Sequence, residues 1–194
     1  MTLTALFPLN NGKMAVLLEI YLEGEDYLRN IERKTKINPS LLHRNLKSLM
    51  KSGFLSRKKK GREYFYSITP EEKNLIVPLL ERYYRDQVIG RHLELKALVK
   101  LLYGNPELMK NCQRIYLFGS FAHGKVGPES DIDLLFVILN KKPVIRWCSE
   151  TSIIVGRTIN PLIYTPNKFE QELAKNEPLL TSVVKNLRNR AVLK

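Results

Sequence analysis

In the N-terminal third of the chain, the apolar residues first recur at helical spacing and then at the spacing of β-strands. Residues 13–22 are almost continuously apolar and predict a buried helix, and a second helix is predicted over residues 26–34. A third is predicted over residues 38–53, which open with asparagine before proline and close on glycine. Residues 54–57 and 63–68 then read as two strands. The order predicts three helices followed by a hairpin.

The predicted third helix has an apolar and a basic side. Its apolar stripe consists of Leu42, Leu46, Leu49 and Met50. The residues on its other side are Ser40, Arg44, Lys47 and Lys51. The connection between the two strands is also basic and contains Lys58, Lys59, Lys60 and Arg62. A helix with cations on one side can lie in the major groove of duplex DNA, beside a hairpin that contacts phosphates.

Charge is distributed unevenly along the chain. The formal net charge is +13, and residues 33–62 hold eleven Lys and Arg but no Asp or Glu. Such a segment indicates a polyanionic partner, most often nucleic acid. A solvated basic surface is the alternative that composition leaves open.

Three helices and a basic hairpin resemble the small prokaryotic winged helix-turn-helix regulators. The resemblance implies a DNA-binding domain over residues 1–70, with Pro39–Ser52 as its recognition helix. Winged helices also serve as protein-interaction modules, which is the competing interpretation of this domain.

Residues 71–104 predict a helical connector, which Pro78 interrupts or kinks. It carries more apolar residues than one small domain needs, namely Leu79, Leu80, Tyr83, Val88, Leu95, Leu98, Val99 and Leu102. The surplus predicts packing between the domains or against a second copy of the chain, and a homodimer would suit a palindromic DNA site.

The residues best suited to bind a ligand lie at the junctions of two apolar runs. The first run ends at Gly119-Ser120, and the second opens with Asp131 and Asp133. Residues two apart leave the same face of a strand, so the two carboxylates are predicted to point together, an arrangement that suits a divalent cation. Glycine allows a close backbone approach, and the Ser120 hydroxyl and N–H suit phosphate.

This segment resembles the signature of the DNA polymerase beta-like nucleotidyltransferases, specifically the minimal nucleotidyltransferases of archaea and bacteria. The resemblance implies a nucleotidyltransferase-like domain over residues 105–194. Its implied nucleotide-binding residues are Gly119, Ser120 and Ser130. Asp131 and Asp133 would hold Mg²⁺, in a site for up to two ions, with a nucleoside triphosphate (NTP) as substrate or ligand. Lys125 and Arg157 are either further cations for the phosphates or solvated bases.

The family usually has a third acidic residue on the strand after the intervening helix. The matching strand is predicted over residues 158–165, where Pro161 favours an edge position, and the matching residue is Asn160. Asparagine offers a neutral oxygen to Mg²⁺ but supplies no charge and accepts no proton. Nucleotide binding is therefore expected and nucleotidyl transfer is left open.

Together these features predict a two-domain α+β protein: a winged helix-turn-helix, a helical connector, and a minimal nucleotidyltransferase-like α/β domain with a mixed sheet. The expected function is a DNA-binding transcriptional regulator whose second domain binds Mg–NTP with weak or lost transfer activity. The alternative is an active enzyme that moves a nucleoside monophosphate from NTP to a hydroxyl of nucleic acid, a small molecule or a toxin protein.

The remaining sequence features concern the compartment. Without an apolar run of about 20 residues or a signal-peptide pattern, the chain is expected to be cytoplasmic and to make no membrane contact. Cys112 and Cys148 suit a reducing compartment and form no metal-ligand spacing.

Overall fold

Two units make up the computed structural model, which describes residues 9–194 and divides between Tyr83 and Tyr84. The division falls inside the predicted connector, and the three-part division at residues 70 and 104 stays a prediction. Among the described residues, no helix has the length and apolarity needed to cross a membrane.

The N-terminal unit contains the three expected helices and the hairpin. Its elements are α1 (Asn11–Glu23), β1 (Glu25–Tyr27), α2 (Leu28–Thr35), α3 (Pro39–Lys51), β2 (Leu55–Lys60) and β3 (Glu63–Ile68). The strands form an antiparallel sheet in the order β1-β3-β2. Helix α3 begins where expected because the Asn38 side chain accepts from the Ser40 N–H, and Leu42, Leu46 and Leu49 are buried. This is a winged helix-turn-helix arrangement, as predicted.

The wing differs from the prediction in its strand length. Strand β2 extends to Lys60, so Lys58, Lys59 and Lys60 belong to a strand and the turn itself is Gly61-Arg62. The short strand β1 was not predicted; it pairs with β3 and holds Asp26, whose buried carboxylate accepts from the Asn30 amide.

The next elements begin with α4 (Lys73–Gly90), a helix that continues through Pro78. Of the predicted interruption or kink at Pro78, the interruption is wrong and the kink stays a prediction. The others are α5 (Leu93–Tyr103), α6 (Pro106–Asn111), β4 (Arg114–Phe118), α7 (Gly119–His123), β5 (Ile132–Val137), α8 (Lys142–Val155), β6 (Ile159–Tyr164), α9 (Pro166–Ala174), α10 (Pro178–Lys185) and β7 (Arg190–Val192). A short 3-10 turn over Pro70–Glu72 precedes α4, and another over Leu187–Asn189 precedes β7.

The C-terminal unit has the mixed sheet that was predicted, in the order β6-β5-β4-β7. Strands β5 and β6 are parallel, whereas β4 is antiparallel to both β5 and β7. Strand β6, which contains Pro161, lies at the sheet edge as expected. The last strand of the chain, β7, pairs with β4.

The apolar residues offered for a homodimer are largely used inside the chain. Leu95, Leu98 and Leu102 are fully buried in one core cluster with Val88 and residues of the mixed sheet. The homodimer stays a prediction, but the surplus apolar surface that suggested it is absent at these positions.

Candidate nucleotide site and basic groove

Gly119 lies against the carboxylate of Asp133. Its φ is +69°, and a Cβ built on it would be 2.1 Å from Asp133 Oδ2. A side chain is therefore disfavoured here twice, by the backbone conformation and by the neighbouring carboxylate, which would have to move. The closeness follows from the sheet, because Phe118 at the end of β4 is paired with Asp133 on β5. The turn predicted to bind phosphate, Gly119-Ser120 (called the phosphate turn below), is thus brought next to Asp133.

Asp133 and Asn160 are paired across the parallel strands β5 and β6. Asn160 Nδ2 donates a 3.0 Å hydrogen bond to Asp131 Oδ2. Asp131 is exposed just before β5 begins, whereas Asp133 is half-buried. Two carboxylates and one carboxamide therefore meet at one end of the sheet, where Asn160 was predicted to replace a third acid.

The charge at Asp133 is costly in this surrounding. Burial raises the pKa of Asp133, the neighbouring Asn160 amide opposes that rise, and the negative charge of Asp131 adds to it. Neither aspartate has an ion-pair partner among residues 9–194. Two adjacent carboxylates without a cation fit a divalent ion chemically. The described residues contain no cluster of three or more His, Cys, Asp or Glu for a metal, consistent with asparagine in the third position.

The two serines differ in what they contact. Ser120, half-buried in the first turn of α7, has a carbonyl that accepts from the Lys125 N–H at 3.0 Å. Ser130 closes a turn, because its Oγ accepts from the Gly127 N–H at 2.8 Å. Its predicted role in nucleotide binding stays a prediction, and its observed contact holds the segment that leads into Asp131.

His123 is a neighbour of the site that the sequence did not single out. Its Nδ1 is 2.6 Å from the Gly119 carbonyl oxygen and its Nε2 is 2.7 Å from Asn189 Oδ1. The imidazole therefore links the start of α7 to the turn before β7. This contact could not be predicted from the sequence, because β7 itself was not predicted.

The basic face of α3 and the wing border a groove of about 1450 Å³ in the N-terminal unit. Its predicted cations are Arg44, Lys47, Lys51, Lys60 and Arg62, and its unpredicted ones include Arg29 and Arg57. Tyr64 and Tyr66 line the groove as well, and the Arg57 guanidinium lies 4.6 Å from the centre of the Tyr64 ring. Ser40 is exposed at the start of α3.

The cations of the wing do not all lie on one face of strand β2. Successive residues of a strand leave opposite faces, so Lys58 and Lys60 share one face of β2 and Lys59 the other. Lys60 is ion-paired with Glu25 and lies over the Phe65 ring. Lys58 and Lys59 are exposed and lie outside the groove lining. The wing thus offers fewer cations to a single surface than the sequence predicted.

One protein-family model matches the C-terminal part of the chain. The model is described as "Polymerase beta, Nucleotidyltransferase", and it matches residues 98–184. The matched range includes the phosphate turn, both aspartates and Asn160. A search of curated proteins found no match.

Solved structures similar to the chain include regulators. Reduced HlyU from Vibrio cholerae is 25% identical with a TM-score of 0.34, over 39% of this chain and 78% of that one. The transcriptional regulator BldR from Sulfolobus solfataricus is 15% identical with a TM-score of 0.39, over 56% and 78%. The MarR family regulator NMB1585 from Neisseria meningitidis is 23% identical with a TM-score of 0.38, over 53% and 78%. Since these TM-scores are below 0.5, no ligand or partner is inferred from them.

The resemblance stated from the sequence is confirmed by the family match and by the topology of the N-terminal unit. Residues 98–184 are a nucleotidyltransferase-like segment of the polymerase beta type, and a winged helix-turn-helix precedes them.

Proposed function

We propose that the chain is a DNA-binding regulator whose nucleotidyltransferase-like domain binds Mg–NTP and transfers nucleotides slowly or not at all. The observation that carries the proposal is the pairing of Asn160 with Asp133 and its hydrogen bond to Asp131. The amide stands where a third carboxylate would complete a metal site, so the site keeps groups for binding but lacks one for proton removal.

The residues proposed for the metal are Asp131 and Asp133, with the Asn160 carboxamide as a neutral neighbour. A bound Mg²⁺ would supply positive charge for the triphosphate oxygens. The chain's own contribution is to keep Gly119 without a side chain, so that the Asp133 carboxylate can lie against the start of α7, beside Ser120.

Calorimetric titration with Mg–ATP tests the nucleotide part of the proposal. Wild-type protein should bind, and Asp133→Asn should lose the Mg²⁺-dependent part of the affinity. The partly buried carboxylate has its pKa raised by burial, so its replacement by the isosteric amide should leave the fold intact. Equal Mg–ATP binding by both proteins would contradict the proposal.

The DNA part rests on the basic groove. Cations on α3 and on the wing line one concave surface, as a recognition helix and a wing would on duplex DNA. Affinity for DNA should fall with salt, with a log–log slope of about −0.9 per phosphate contacted. Replacing Arg57 and Arg62 with alanine should make the slope shallower by about two contacts.

A charge-matched control keeps that test specific. Lys141→Ala and Lys142→Ala remove two exposed charges from the C-terminal unit and should leave the salt slope unchanged. Equal slopes for wild type and the Arg57/Arg62 variant would remove the groove from the interface.

Active nucleotidyl transfer is the second candidate function. It is favoured by the retention of both aspartates and of the close Gly119–Asp133 approach. The acceptor would be a hydroxyl of nucleic acid, a small molecule or a protein. The activity of the wild type relative to Asn160→Asp decides between the two candidates.

A further inference from the structure

Arg157 contacts the turn that leads into Asp131. Its Nη1 donates to the carbonyl oxygens of Gly127 at 3.3 Å and Ser130 at 3.4 Å, and also to that of Pro128. Its Nη2 is 3.3 Å from Glu94 Oε1 on α5. Protein acceptors thus surround the guanidinium, which makes it neither a solvated base nor an available phosphate ligand.

The position of Arg157 in the chain links this turn to β6. Arg157 lies three residues before Asn160, and the carbonyl of the next residue, Thr158, accepts from the Ile132 N–H at 2.8 Å. The turn and the start of β6 are therefore fixed to each other on both sides of Asp131. The 3.0 Å contact between Asn160 and Asp131 depends on that relative position.

The same side chain reaches the helix that begins at Gly119. The Arg157 guanidinium carbon lies 5.9 Å from the ring centre of Phe121, which is buried in α7. One arginine therefore contacts the turn before Asp131 and the helix after the phosphate-turn glycine, and precedes the strand of Asn160. Its planar fork can serve several acceptors at once, which a lysine ammonium cannot do in the same geometry.

We propose that Arg157 is a positioning residue that sets Asp131 relative to Asp133 and Asn160 for metal-dependent nucleotide binding. The inference rests on the proposed Mg–NTP binding. Glu94 is its supporting partner: a backbone hydrogen bond and then Arg157 lower the pKa of Glu94, so the pair is charged near neutral pH. Motif spacing gave no sign of this role, because backbone carbonyls carry no sequence signature.

The test compares Arg157→Gln with Arg146→Gln in Mg–ATP titrations. Arg146 is the matched control because it lies on α8 in an exposed pair with Glu150. Arg157→Gln should weaken Mg–ATP binding at least about tenfold, since displacing a catalytic-site group by about 1 Å can cost about 10². Arg157→Lys should not restore binding, and Arg146→Gln should change it less than about twofold.

A double-mutant cycle separates positioning from general stability. In an Asp131→Asn background, Arg157→Gln should add little further loss, because the carboxylate it positions is gone. A loss of the same size in both backgrounds would show that Arg157 acts independently of Asp131 and would overturn the proposal.

Amide hydrogen exchange measured by NMR keeps the inference distinguishable from the proposed function. The Gly127 N–H bonds to Ser130 Oγ and the Ser130 N–H bonds to the Gly127 carbonyl oxygen. Both amides should exchange at least about tenfold faster in Arg157→Gln, and their exchange rates should be unchanged in Arg146→Gln. Absence of Mg–ATP binding by the wild type would refute the proposed function, whereas unchanged exchange in Arg157→Gln would refute the role of Arg157.

Discussion

Replacing Gly119 with alanine should move the Asp133 carboxylate out of place. The added Cβ would lie 2.1 Å from Asp133 Oδ2 and 3.0 Å from its Cγ, whereas ordinary contact begins at 3.4 Å. The oxygen must therefore retreat by about 1.3 Å, the difference between those two distances. Mg²⁺ requires ligand distances close to 2.0–2.1 Å, as is general for this ion, so a displacement of that size removes Asp133 as a ligand.

The loss of folding stability in Gly119→Ala has two contributions, the backbone geometry and the collision with Asp133. A non-glycine residue in left-handed backbone geometry costs about 1–2 kcal/mol of folding stability, which applies at φ +69°. Gly124 has φ +71°, but a Cβ there meets only Arg91 Nη1, at 3.4 Å. Gly124→Ala therefore carries the backbone cost without the collision and is the matched control.

The assay is Mg–ATP titration together with urea unfolding of both variants. Both should lose about 1–2 kcal/mol of stability from the backbone alone, and Gly119→Ala should lose more. Gly119→Ala should also lose Mg–ATP affinity by about 10², while Gly124→Ala keeps it. Equal affinity of the two variants would refute the reasoning, since the contact between Gly119 and Asp133 would then have no effect on binding.

Four further predictions concern ionisable groups. Burial raises the pKa of Asp133, so Mg–ATP affinity should fall on acidification at a higher pH than for an ordinary aspartate; calorimetry from about pH 4 to pH 8 checks this. The folding stability of the metal-free protein should depend on pH in the opposite direction, since the stability from protonated Asp133 is lost as pH rises through its raised pKa. Asp133→Asn should abolish that loss. Burial raises the pKa of Cys112 to about 11 and of Cys148 to about 12, so both thiols should react with a thiol reagent only after unfolding. Burial disfavours the charge of Lys34, but hydrogen bonds to carboxylates raise its pKa, so Lys34→Met should cost about 1–2 kcal/mol in urea unfolding by leaving buried Asp26 without its cation.

Local signals in the sequence were sufficient to predict helix α3 and strand β5. Asn38 before proline caps α3, and the three leucines of its apolar stripe are buried as their spacing indicated, with Met50 half-buried. The apolar run after Asp131 forms β5 in the middle of the sheet for the same reason. These elements carry their own periodicity and caps, so one stretch of sequence determines them.

The two shortest strands could not be predicted from the sequence. Strands β1 and β7 have three residues each and are defined by pairing with β3 and β4. Three residues show no periodicity, and their hydrogen bonds are made to partners remote in sequence.

The residues of the candidate site could be predicted from the sequence, but their burial and contacts could not. The aspartates and Asn160 could be named from spacing, whereas the half-buried state of Asp133 and its approach to Gly119 depend on how β4, β5 and β6 pair. The contacts of Arg157 with carbonyl groups are likewise set by tertiary structure. The wing shows the same limit, because its lysines were assigned to a loop while they alternate along β2.

The most direct test of the account is nucleotidyl transfer by the wild type and by Asn160→Asp. Both proteins are incubated with α-labelled NTPs and Mg²⁺ in the presence of DNA and cell extract, and label on an acceptor is measured. Because Asn160 is paired with Asp133, the new carboxylate would complete the acidic set and should raise transfer by about 10² or more. A wild type that already transfers nucleotides, at a rate that Asn160→Asp does not raise, would contradict the account.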